Sequence, residues 1–74
     1  MGEVEHWTTP SGYDLQRQWG RWMPDGKEGY AYRLVFSEFH LLVGEVTVRR
    51  LTEAEFEALR AVSREGYYKD LLEE

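Results

Sequence analysis

Seventy-four residues with no cysteine and a net charge of −5 allow one small domain and exclude a disulfide framework, a thiolate metal site and a cleft between two domains. A chain this short buries only about 60% of its unfolded surface, so extra stability must come from packing or self-association. The charge is uneven: residues 1–50 carry seven acids against six bases, and residues 51–74 carry seven against three. A shortage of Lys and Arg opposes binding to a phosphate backbone and favours a basic protein partner.

Along the chain, Thr9-Pro10-Ser11-Gly12 has Pro at the second and Gly at the fourth position of a type I turn. Residues 4–8 and 13–23 are therefore expected to pair as a hairpin. Pro24-Asp25-Gly26 is a second turn, with Pro fixing φ and Gly free to take a left-handed conformation, and it makes strands over 13–23 and 29–36 antiparallel neighbours. Tyr30, Tyr32, Leu34 and Phe36 alternate with Ala31, Arg33 and Val35, the period of a strand with one buried face.

Ser37-Glu38 is expected to be a tight connection to a further strand over 39–50, whose alternation changes register at Gly44. That glycine reads as a bulge, a bend or a turn. Thr52 and Glu55 then form a capping box, with Leu51 and Phe56 at the hydrophobic-staple positions, and so start a helix. Phe56, Leu59 and Val62 lie on one side of it, with Glu53, Glu57, Arg60 and Arg64 mainly on the other. The helix is expected over 52–65, stopped by Gly66 at C′, with a short helical turn or tail over 67–74 presenting Tyr68, Leu71 and Leu72.

The fold class is therefore α+β: a single domain whose antiparallel sheet of three or four strands, a β-meander over 1–50, is packed on one face by a C-terminal helix. No run approaches the ~20 apolar residues of a membrane span, and the N-terminus lacks the basic-then-apolar pattern of a signal peptide. A cytoplasmic protein without membrane contact is expected.

Catalytic patterns are missing. The glycines are dispersed, without the lysine and helix start of a phosphate loop. His6 and His40 do not have ligand spacing on a helix; a metal site would require them to converge with carboxylates such as Glu38, and solvent-facing or edge-of-core histidines are the better reading. Ser11, Ser37 and Ser63 have no evident base beside them. No cofactor, no metal and no enzyme activity are expected. The weaker alternative is an enzyme with a site built at a dimer interface around His40.

The unusual cluster lies on the second strand, where Tyr13, Arg17, Trp19 and Arg21 share a face with Leu15, and Trp22 falls on the other face. Trp and Arg are the residue types of interface hot spots, which makes Tyr13, Arg17, Trp19, Arg21 and Trp22 candidate partner-binding residues. Equally, Trp19 can pack across to a strand neighbour while the arginine stems cover apolar surface. Glu53, Glu57 and Asp70 form a candidate acidic surface suited to a basic groove, although acids near a helix start also serve the dipole and terminal acids serve solubility. These features suggest a small non-catalytic interaction module: a regulator or inhibitor that docks on a larger protein, such as one that processes nucleic acid, or that self-associates as a homodimer. The alternative is a single-stranded nucleic-acid binder using Tyr13, Trp19 and Arg21 as its platform, which the charge disfavours.

Overall fold

A computed structural model of the chain describes residues 2–40 and 43–67. It contains β1 (Val4–Thr8), β2 (Asp14–Gly20), β3 (Gly29–His40), β4 (Val43–Arg50), α1 (Glu53–Val62) and β5 (Arg64–Glu65). The strands make one antiparallel sheet of order β4-β3-β2-β1-β5. The class is α+β with a meander and a helix, as the residue pattern predicts, but the sheet has five strands rather than three or four. The fifth is the two-residue β5, too short to leave a periodic signature.

Both predicted turns are present. Gly12 N–H donates to the Thr9 carbonyl at 2.8 Å and Gly12 takes a φ of 84°, closing the β1–β2 hairpin. In the second turn Gly26 N–H donates to the Met23 carbonyl at 3.0 Å with a φ of 78° at Gly26, and Asp25 accepts from Lys27 N–H. β2 nevertheless stops at Gly20, short of the expected Met23. Trp22 folds back so closely that a Cβ at Gly20 would stand 2.6 Å from its Nε1. The chain leaves the ladder to make room for the indole.

The β3–β4 hairpin departs most from expectation. β3 runs straight through Ser37-Glu38, which has no residue suited to positive φ, and the ladder continues to His40↔Val43. Leu41-Leu42, between these two residues, lies outside the described residues. Gly44 pairs regularly with Phe39, so it is neither a bulge nor a turn.

The capping box forms: Glu55 N–H donates to Thr52 Oγ1 and Thr52 N–H donates to Glu55 Oε1. Leu51 packs against the same core cluster as Phe56. The helix expected over 52–65 ends at Val62, because Ser63 turns to extended backbone while its N–H and hydroxyl donate to Arg60 and Leu59 carbonyls. Arg64 and Glu65 then pair with Thr8 and Trp7. Gly66, with a φ of 85°, follows the strand instead of capping the helix, and its N–H donates to the His6 carbonyl. Val62 is 64% exposed instead of facing the sheet. Each i+3 step lags about 60° on a 3.6-residue helix, so Val62 has rotated away from Phe56. Tyr68, Leu71 and Leu72 lie outside the described residues.

α1 carries the chain from one edge of the sheet to the other, from β4 to the parallel-running β5. A ten-residue helix spans about 15 Å, about three of the four strand spacings that separate β4 from β5, and its flanking residues cover the rest. It seats Phe56 on Leu15 and Leu34, the buried centre, with Trp7, Tyr13, Tyr32, Phe36, Leu51 and Leu59 around them.

Candidate functional site

Direct cross-strand pairing in the β1–β2–β3 ladders puts Glu5, Trp7, Leu15, Arg17, Trp19, Tyr30, Tyr32 and Leu34 on the face that receives α1. The rings on this face form a chain of contacts. Trp7 meets Phe56 edge-on at 5.3 Å, Phe56 meets Tyr32 at 4.7 Å, Tyr32 meets Tyr30 at 6.1 Å, and Tyr30 meets Trp19 edge-on at 4.8 Å. The chain starts in the core and ends in solvent, where Trp19 is 42% and Tyr30 38% exposed. Geometry of this kind contributes about 0.5–1.5 kcal/mol per pair beyond area burial, so the exposed rings are held rigidly by the core.

Arg17 braces the exposed end. Its Nε and Nη2 donate to the two carboxylate oxygens of Glu5 at 2.7 and 2.9 Å, a bidentate pair across the β1–β2 register. Its guanidinium carbon also stands 4.5 Å from the Tyr30 ring centre, 5.4 Å from Trp7 and 5.6 Å from Phe56. The hydrogen bond from Arg17 holds the Glu5 carboxyl below its ordinary range against the opposing effect of burial, and raises Arg17 in turn. Burial pushes the Tyr32 hydroxyl up, and the charges of Glu53 and Glu57 push it further. The two helix carboxylates therefore act electrostatically on Tyr32. Glu28 joins the aromatic strip directly by accepting from Trp19 Nε1 at 3.0 Å.

The five candidate partner-binding residues take different positions. Trp19 is exposed on the strip. Tyr13 packs edge-on against Phe36 at 4.6 Å beside the core, and Arg17 is committed to Glu5 and three rings. Arg21 and Trp22 lie beyond the end of β2 and, with Gly2, Trp19, Gly20 and Glu28, line an open groove of about 620 Å³. Trp22 presses on Gly20, has the Arg33 guanidinium 6.0 Å from its ring, and leaves its Nε1 without an acceptor among the described residues. Of the candidate acids, Glu53 and Glu57 are exposed on α1, and Glu57 accepts from Arg60. Asp70 lies outside the described residues.

Three residues of this surface escape strand alternation alone. Glu28 precedes β3, and Tyr30 reads as an ordinary member of a buried face. Glu5 pairs with Arg17 only once the hairpin register is fixed by Thr9–Gly12. On the opposite face, the same register brings His6 and Asp14 together. His6 Nδ1 donates to both Asp14 oxygens at 3.0 Å, and Gln16 Nε2 donates to one of them at 2.6 Å. Asp14 is only 3% exposed, so its charge is compensated by these donors. The nearby Thr8 hydroxyl donates to the Gly66 carbonyl. Among the described residues, no group of three His, Asp or Glu side chains is placed to hold a metal ion. The side chains of His40 and Glu38 lie outside the description.

Among the described residues no helix is long and apolar enough to cross a membrane. In comparisons with known proteins, no family model, no curated protein and no solved structure matches the chain.

Proposed function

We propose that this chain is a small acidic interaction module that docks on a basic segment of a larger protein and regulates or inhibits it. The contact is the Trp19–Tyr30 strip, with Glu28 bonded to Trp19 and the exposed Glu53 and Glu57 of α1 on the side of Tyr32. The observation that carries this reading is the pairing of two exposed rings with an aromatic chain anchored in the core. Rigid, partly exposed aromatics lose little entropy on binding, which is why they dominate interface energetics. Carboxylates around the rings select cationic side chains, through ion pairing and through contact of the cation with the ring faces. The net charge of −5 adds long-range attraction for the same partner.

Nucleic-acid binding is the poorer fit. The cation at the centre of the strip, Arg17, is paired with Glu5, which leaves Arg21, in the groove beside Trp19 and Glu28, as the one guanidinium there for a phosphate to meet among the described residues.

The test is tryptophan emission during titration with a Lys/Arg-rich peptide, an acidic peptide and a single-stranded oligonucleotide at low salt. The basic peptide alone gives a saturable change, which disappears in Trp19→Ala and in the charge reversal Glu28→Lys/Glu53→Lys/Glu57→Lys. Equal affinity after charge reversal, or a saturable response to the oligonucleotide alone, overturns the reading.

A further inference from the structure

We infer that the outer edge of β4 is a self-complementary docking strand, through which two copies join their sheets about a two-fold axis at Thr47. This surface is separate from the Trp19–Tyr30 strip and does not depend on it.

Among the described residues nothing pairs with the outer edge of β4, an eight-residue strand without proline or bulge. Natural sheets usually blunt edges of this length. The direction of its backbone groups follows from one hydrogen bond. Leu51 N–H donates to the carbonyl of Tyr32, which the register places directly opposite it. Bonded and non-bonded pairs alternate along an antiparallel ladder, so residues 43, 45, 47 and 49 spend their backbone groups on β3. Residues 44, 46, 48 and 50 turn theirs outward.

A second copy running antiparallel must match outward groups with outward groups. Centring the two-fold axis at Thr47 does so: Val46 meets Val48 of the other copy and Gly44 meets Arg50, as bonded pairs, giving about eight backbone hydrogen bonds in all. The sequence Glu45-Val46-Thr47-Val48-Arg49 is complementary to itself in this register. Glu45 falls opposite Arg49 twice, Val46 opposite Val48 twice, and Thr47 opposite Thr47; each is a favourable type of cross-strand pair. Val48 is 55% exposed, and the only ion pair Arg49 makes among the described residues is a long 3.4 Å contact with Glu55. Both residues are thus available. The product is a continuous sheet of twice the five strands of one copy, in a closed dimer with isologous contacts.

Light scattering after size exclusion, from micromolar to near-millimolar protein, tests this with three variants. Val48→Pro removes only an outward N–H and leaves the β3–β4 ladder its bonds, so circular dichroism is retained while the mass falls from twice 8.8 kDa to 8.8 kDa. Glu45→Arg weakens the dimer roughly tenfold by setting Arg opposite Arg twice. Adding Arg49→Glu to it restores the wild-type dissociation constant. A wild-type chain that stays monomeric throughout the range overturns the inference. So does a dimer indifferent to Val48→Pro, or a double variant no tighter than the single.

Discussion

Arg17 shows how one residue type can be read two ways and still act in one. A guanidinium among aromatic rings on a strand suggests a contact for a partner, yet here both donors of its fork are taken by Glu5 and its plane by Tyr30. It holds the strip in place. Arg17→Ala is expected to cost about 1–2 kcal/mol in denaturant unfolding, from lost ring contact and stem packing, and to broaden the Trp19 emission as the rings loosen. The same pair sets part of the pH dependence. Because the Glu5 carboxyl is lowered in the folded protein, its contribution is present above the unfolded value of about 4.3 and is lost as pH falls through the folded one. Glu5→Gln should therefore flatten the acid limb of the unfolding midpoint against pH. Tyr32 has the opposite sign. Its hydroxyl is raised by burial and by Glu53 and Glu57, so its contribution is present below about pH 10 and is lost as pH rises through the raised value. Tyr32→Phe should remove that alkaline limb, and a limb unchanged in the variant would assign it elsewhere.

At the scale of elements, what could be read from sequence was local chemistry. The Thr52–Glu55 capping box, the Thr9–Gly12 turn and the alternation of Tyr30 to Phe36 each need only neighbouring residues, and each is present. Thr52→Ala should accordingly cost about 1 kcal/mol, read from the shift in unfolding midpoint, because it frees the Glu55 N–H and unpicks the box. What could not be read depended on partners far along the chain. Arg64 and Glu65 form a strand only because β1 has an open edge beside them, and the Thr8 hydroxyl secures Gly66 there. β2 ends early because Trp22 returns over Gly20. The β3–β4 turn was misplaced for a related reason: the ladder, not the polarity of Ser37-Glu38, determines how far β3 runs. The candidate site was legible in the same proportion. Trp19 was found from alternation, whereas Glu5, Glu28 and Tyr30 required register and loop return.

At the scale of the molecule, the sheet has two unlike faces and one long open edge. The covered face carries the core under α1 and runs out into the Trp19–Tyr30 strip with its carboxylates, while the opposite face holds the His6–Asp14–Gln16 network. If the proposed function and the proposed β4 pairing both hold, one dimer presents two Trp19–Tyr30 strips to a basic partner and gains avidity without new contacts. The proposed docking surface is the strip. Its most direct test is capture from nuclease-treated lysate of the source cell by tagged wild-type protein, side by side with folded Trp19→Ala/Tyr30→Ala. A stoichiometric basic protein retained by the wild type and absent with the double variant is the predicted result. The same protein retained equally by both would rule the strip out as the docking surface.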